Sequence, residues 1–249
     1  MSKVHVLIVK TEPGSTDNNI QKLKNIFSNP FFSVNIISVT PPHVINKTKD
    51  LSNYDIITLN RIKKSLIFTN KNSINIPILI ILDTSITYET ASTMKKNIEN
   101  IFNLDYDILY LCKWYDDCQA LEKTNYPNIF KTKKPKGFQA ALFSNKMRNL
   151  ILSEEFDSSI SFSRNIEQFI LNNKIIAYSF VPNIINFDIE FAKIDEEYLK
   201  LNECAPITNR SPNEGITYIW FIFMIILIIA VAWAVIKLGP DQEDQKEIL

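Results

Sequence analysis

Glycine is scarce in this chain: there are four in 249 residues, at Gly14, Gly137, Gly215 and Gly239. Phosphate-cradling loops of the P-loop and Rossmann types need closely spaced glycines so that the backbone can approach the diphosphate. The wide separation of these four excludes both site types. Histidine is scarcer still, with only His5 and His43, so a zinc site built on the three thiols Cys112, Cys118 and Cys204 lacks partners. An odd thiol and no dense cysteine framework fit a reducing compartment. Cys112 and Cys118 are near enough in sequence to pair or share a metal, against the commoner fate of cysteine as a small buried hydrophobe. Charge of one sign is also missing, since 27 Lys and Arg balance 27 Asp and Glu. No global field draws a polyanion, and no nucleic-acid partner is expected.

What the chain does have is 46% apolar and 22% charged residues, enough for a real core. Up to about residue 200, strand-like and helix-like stretches alternate, the pattern of an α/β layer fold. The expected strands are Val4 to Val9, Val34 to Val39, Asp55 to Leu59, Ile76 to Leu82, Ile108 to Cys112, Phe138 to Phe143 and Ile175 to Val181. The expected helices are Asp17 to Phe27, Glu89 to Phe102, Ser144 to Leu152 and Ser161 to Leu171, several opened by a Ser or Asp cap. Ile76 to Leu82 is nearly all apolar and of strand length, so it is expected at the centre of the sheet, buried on both faces. No internal repeat is visible.

From Ile216 to Ile236 the chain runs "ITYIWFIFMIILIIAVAWAVI", 21 residues without a charge. As a helix rising about 1.5 Å per residue it would extend roughly 31 Å, the thickness of a hydrocarbon core. Tyr218, Trp220 and Trp233 stand near its two ends, where amphipathic rings favour the interface, and Lys237 closes it. The opening "MSKVHVLIVKTEPGS" is broken by Lys10 and has no small-residue cleavage site, so it reads as a strand and not a signal peptide. The expected organisation is a domain over 1–201, a juxtamembrane linker over 202–215 with Pro206 and Pro212, a transmembrane helix over 216–237 and a short polar tail over 238–249. A single-pass, tail-anchored protein with a cytosolic domain follows. Basic residues flank the span on both sides, Arg210 before it and Lys237 and Lys246 after it.

Three blocks, in order, carry a resemblance. They are "IPILIILDTSITYE" (Ile76 to Glu89), "LDYDILYLCKW" (Leu104 to Trp114) and "GFQAALFSNKMRNLIL" (Gly137 to Leu152). Together they resemble the family 25 glycosyltransferases, the group containing lipooligosaccharide and collagen sugar transferases, over about Val4 to Asp188. The first is similar to that family's apolar strand followed by Leu-Glu-Asp-Asp and an aromatic residue, with Tyr88 in the aromatic place. The second is similar to a strand ending in Leu-Tyr-Leu-Gly, and the third to a glycine, an aromatic strand and a Ser-initiated helix. The Ile- and Asn-rich versions of such domains belong to large DNA viruses. The resemblance implies a GT-A-like α/β sandwich that binds a sugar nucleotide, with a divalent metal holding the donor diphosphate. Such a metal needs hard oxygen ligands at a strand-end elbow.

The elbow departs from that pattern. Asp83 stands for Glu, and Thr84 and Ser85 stand where the family has two acids. A neutral hydroxyl is a poor substitute for a carboxylate on Mn2+ or Mg2+. The first strand lacks the arginine-bearing start of family members, and "SSISFSRNIEQF" has Ser where they carry a further Asp. Asp105 and Asp107 flank Tyr106 as an acidic triplet, but they precede a strand and read as an ordinary acidic turn. Asp116 and Asp117 follow a strand end and are better placed, against the usual fate of loop acids as solvated charges. Trp114 and Tyr115 are candidates to stack a donor, or else cover the core edge.

The expected function is a membrane-anchored, catalytically degenerate glycosyltransferase-like protein with a binding or virion structural role. It would have no metal or other cofactor, and its partners would be the membrane, which includes a virion internal membrane, and capsid or other virion proteins. The alternative is an active glycosyltransferase that binds a sugar nucleotide with Mn2+ or Mg2+ held elsewhere or with none. Asp83, Asp116 and Asp117 would then be the catalytic candidates, Thr84, Ser85, Trp114 and Tyr115 the donor-binding ones, and "KTKKPK" (Lys131 to Lys136) a cationic partner for the diphosphate.

Overall fold

The computed structural model describes residues 3–10, 17–39, 53–72 and 74–187, together with Met224. Ten strands, five α-helices and one 3-10 turn (Cys118–Ala120) lie among them. The strands are β1 (Val4–Lys10), β2 (Phe32–Ser38), β3 (Ile78–Leu82), β4 (Ser85–Ile86), β5 (Ile108–Cys112), β6 (Glu122–Lys123), β7 (Ile129–Lys131), β8 (Ala140–Phe143), β9 (Ala177–Phe180) and β10 (Asn186–Phe187). The helices are α1 (Asp17–Ile26), α2 (Asn53–Lys71), α3 (Ala91–Glu99), α4 (Asn145–Leu152) and α5 (Phe162–Leu171).

Eight strands form one mixed sheet in the order β2-β1-β3-β8-β5-β9-β7-β6, and β4 pairs with β10 in a separate two-stranded ribbon. β1, β2 and β3 run parallel, as do β5 and β9. Between the two groups β8 runs antiparallel to both of its neighbours. Every residue of β3 is buried, as the unbroken apolar run Ile78–Leu82 requires of a central strand.

Side chains alternate across the sheet and build a core on each face. Val4, Val6 and Ile8 of β1 join Leu79 and Ile81 on one face, where α1 adds Ile20 and Leu23 and α3 adds Met94 and Ile98. Leu7, Val9, Ile78, Ile80 and Leu82 lie on the other, under Leu59, Ile62 and Leu66 of α2, Met147 and Ile151 of α4, and Phe162, Ile166 and Phe169 of α5. Helices on both faces of a central sheet make this an α/β layered domain. Each fully buried aliphatic or aromatic side chain contributes about 1.5–3 kcal/mol, so these two cores dominate stability. Local signals agree with the packing: Thr90, Ser144 and Ser161 each accept a hydrogen bond from the backbone N–H three residues on, capping α3, α4 and α5.

The expected strand at Asp55 to Leu59 is instead the start of α2. The β-branched run Ile56-Ile57-Thr58 suggests extended backbone, but Leu59, Ile62, Leu66 and Thr69 recur at helical spacing and are the buried residues of one helix face. Tertiary packing on β1 outweighs the local preference. No helix among the described residues is long and apolar enough to cross a membrane. The expected span at 216–236 lies outside them, Met224 apart, as do the linker and the polar tail.

Candidate functional site

The parallel strands all point their carboxyl ends to one edge of the sheet, the edge where open α/β sheets hold ligands. Because β8 runs the other way, its amino end arrives at the same edge. The elbow after β3, the loop after β5 and the entry to β8 therefore meet there.

At the elbow Asp83 is fully buried, and its N–H donates to the Val9 carbonyl at 3.0 Å. Asn19, near the start of α1, donates its side-chain amide to the carbonyls of Asp83 (2.6 Å) and Ser85 (2.7 Å). Gln139, one residue before β8 and also buried, donates from Nε2 to Thr84 Oγ1 (2.5 Å) and Ser85 Oγ (3.2 Å). Ser85 Oγ in turn donates to the Gln139 carbonyl at 3.4 Å. Each hydroxyl thus already gives one of its two lone pairs to an amide. With one carboxylate, and that one enclosed, the elbow does not fit a divalent metal holding a diphosphate. Among the described residues no group of three or more His, Cys, Asp or Glu side chains is placed to hold a metal ion. Tyr88, the aromatic residue of the same block, is half exposed.

The loop after β5 is built differently. A bulge between Tyr110 and Cys112 puts Leu111 and Cys112 on the same face of the sheet. Lys113 follows, 1% exposed, with its ammonium 3.4 Å from the fully buried Asp116 carboxylate. Thr132 donates its hydroxyl to Asp116 Oδ2 at 2.5 Å, while Asp116 Oδ1, Tyr110 Oη and Ser179 Oγ are buried without a hydrogen-bond partner. Burial pushes the Asp116 carboxyl up, against the opposing pull of Lys113 and Thr132. Burial likewise pushes the Lys113 ammonium down, against the attraction of Asp116. Tyr110 is driven well above its ordinary value, first by burial and then by the Asp116 charge. Cys112 is a free buried thiol, raised by the same desolvation.

The remaining expected site residues fall into place around these two centres. Trp114 is 5% exposed and part of the core, with its ring against Gly137. Gly137 has φ +76°, and a Cβ there would lie 2.4 Å from Trp114 Cγ, so only glycine fits. Tyr115 is half-buried and bridges to Lys136 through the backbone. Asp117 pairs at the surface with Lys134 at 3.4 Å. The basic stretch is shared out among carboxylates, Lys133 with Glu122 (2.5 Å) and Lys136 with Glu167 (2.7 Å). Ser163, in the stretch where the resemblance expects an acid, accepts the Gly137 N–H at 2.9 Å. Asp107, from the acidic triplet, ties the start of β5 to Ile176 N (2.8 Å) and Lys146 (3.0 Å). Asp116 is not the solvated loop acid that its sequence position suggests. Sequence reasoning passed over Asn19, Lys113, Thr132 and Gln139. Only Gln139 carried a signal, as the one polar side chain in the run "FQAALF".

These features define an α/β domain with a mixed central sheet and an internally bonded carboxyl edge. Solved structures to which the chain is similar include A197 from STIV, at 10% identity and TM-score 0.44, covering 73% of this chain and 83% of that one. They also include an apo UDP-glucose pyrophosphorylase (8%, TM-score 0.38, 71% and 72%). A third is a putative glucose-1-phosphate thymidylyltransferase from Bacillus anthracis (10%, TM-score 0.40, 80% and 96%). No family model and no curated protein matches the sequence.

Proposed function

We propose that the protein is a membrane-anchored, glycosyltransferase-like domain of GT-A type that does not transfer sugar by a metal-dependent route and serves in binding or assembly. The observation that carries this reading is the closed elbow: Asp83 is enclosed and the Gln139 amide holds both hydroxyls that stand in the acidic positions. The resemblance of the three sequence blocks supports the GT-A assignment, and the uncharged run at 216–236 supports the anchor. On this reading the partners are a membrane and, following the viral members of the resembling family, capsid or other virion proteins.

Isothermal titration of the full chain in detergent with common sugar nucleotides, with and without Mn2+, tests the site. No Mn2+-dependent heat and no nucleotide release are expected; Mn2+-dependent turnover that Asp83→Asn abolishes would overturn the reading. Deleting residues 217–249 tests the anchor. The shortened chain is expected in the soluble fraction after alkaline carbonate, and a product that stays with the membrane pellet contradicts it.

A further inference from the structure

The two outermost strands of the sheet are built in opposite ways. β6, at one end, is two residues long, and both Glu122 and Lys123 are exposed. A short, charged edge offers another chain little to pair with. β2, at the other end, runs for seven residues, "FSVNIIS", and pairs with β1 without a break in register. It has no proline, no bulge and no charge. The chain in fact carries no Asp, Glu, Lys or Arg from Asn25 to Asn46, although those residues make up 22% of the whole. Among the described residues no strand lies on the outer side of β2.

The phase of the β1 pairing decides what that outer side presents. Val4 N donates to the Phe31 carbonyl at 3.3 Å, and Val39 N donates to the Lys10 carbonyl at 3.2 Å. Backbone groups alternate in direction along a strand, so Ser33, Asn35 and Ile37 bond to β1 while the N–H and C=O of Val34 and Ile36 point outward. Side chains alternate as well. Phe32 and Val34 pack on the α1 face and Ile37 on the α2 face. Ile36, on the α1 face beside Val34, is left 41% exposed, and Asn35, on the other face, is exposed too.

We infer that β2 is a dimerisation edge, pairing antiparallel with β2 of a second copy so that two sheets join across a two-fold axis at Asn35. A strand meets itself antiparallel about such an axis, so its side chains must tolerate their own copies. A charged strand would set like charges opposite one another, and β2 has none to set. In the register centred on Asn35, Val34 stands opposite the partner's Ile36, and their outward N–H and C=O groups exchange two hydrogen bonds, repeated by symmetry. The exposed Ile36 is thereby covered by an aliphatic neighbour. On the other face Asn35 meets the partner's Asn35 in a non-hydrogen-bonded pair, where side chains come closest and each amide can donate and accept. Sliding the register by two residues keeps the backbone bonds but sets each asparagine opposite a serine or an isoleucine, so the amide pair favours the centred alignment. Neither the closed elbow nor the anchor enters this argument, and the pairing stands or falls apart from them.

Analytical ultracentrifugation of the full chain in detergent tests the edge. A monomer–dimer equilibrium with a dissociation constant on the order of 10 µM is expected, because one strand pair makes a small interface. Asn35→Lys, which sets two ammonium groups face to face at an exposed position, should raise that constant about tenfold or more. Leu171→Lys, on α5 and 64% exposed, should leave it unchanged. Relative to the unaltered chain, Asn35→Cys should gain a disulfide-linked dimer on mild oxidation, since opposed residues of a non-hydrogen-bonded pair lie about 4.5 Å apart at Cα. Ser33→Cys, displaced from its own copy in this register, should not. A chain that stays monomeric at about 100 µM, tenfold above the expected constant, would overturn the proposal. So would a dimer indifferent to Asn35→Lys, or cross-linking of Ser33→Cys equal to that of Asn35→Cys.

Discussion

The ends of β3 and β5 occupy equivalent positions on one sheet edge and each buries an aspartate, but side-chain amides close the first and a buried lysine closes the second. After β3 the chain buries one carboxylate, Asp83, within a frame of neutral groups, with the Gln139 amide bonded to two hydroxyls and the Asn19 amide bonded to two carbonyls. After β5 it buries an ion pair, Lys113 with Asp116, anchored by Thr132. Hydrogen-bonded neutral groups carry a modest desolvation cost, and each can be altered at modest loss. A buried ion pair is held together by a large cost on each partner, so removing one partner is worse than removing both.

The sharpest test of that contrast is a double-mutant cycle on the pair. Lys113→Met or Asp116→Leu alone should each destabilise by about 3–5 kcal/mol in chemical denaturation, and the double variant should lose much less than their sum. Additive losses would mean that the ions are not energetically coupled. The pH profile carries the same information. Asp116 is raised in the fold, so the folded state binds more protons above the ordinary carboxylate value and stability falls as pH rises through that window. Lys113 is lowered, so below the ordinary lysine value of 10.5 the unfolded state binds more protons and stability climbs with pH. The double variant should flatten both slopes. Next in size is Gly137→Ala, which places a Cβ against the Trp114 ring at a positive φ and should cost about 2–4 kcal/mol. At the β3 elbow, Gln139→Leu should cost about 1–3 kcal/mol by removing the amide donor from both the Thr84 and Ser85 hydroxyls, Ser85 keeping only its bond to the residue-139 carbonyl. A loss at that elbow as large as that of Lys113→Met would erase the contrast. Smallest is Cys112: peptide mapping after alkylation should find it unmodified in the native protein and modified after unfolding, because burial keeps its thiol protonated.

Much of the scaffold was legible because the sequence states it redundantly. Ile78–Leu82 is apolar throughout, and Ser144 and Ser161 stand where helices begin. Asp55 to Leu59 misled because two isoleucines and a threonine favour extended backbone, although the face Leu59, Ile62, Leu66 was there to be counted. At the site, the lost acids at Thr84 and Ser85 could be seen, but the amide that closes over them could not, since it comes from a strand 54 residues away. Lys113 was illegible for a different reason: lysine is almost never fully buried, and its partner Asp116 looks like any loop acid until the bulge in β5 redirects the chain.

The reversed strand β8 also bears on when the domain can form during synthesis. β1, β2 and β3 are encoded within the first third of the chain, but the free side of β3 is covered only when Ile78 pairs with Phe143 and Ile81 with Ala140. Until then a growing chain carries an apolar strand with one side open, an invitation to pair with another nascent copy. Contacts between such distant residues make closure of the sheet slow, because the intervening loop must be ordered before the pairing rewards it. Sealing of β3 therefore waits for β8, and the pairings that β5 and β7 make with β9 wait longer still, until the residues of β9 have been made.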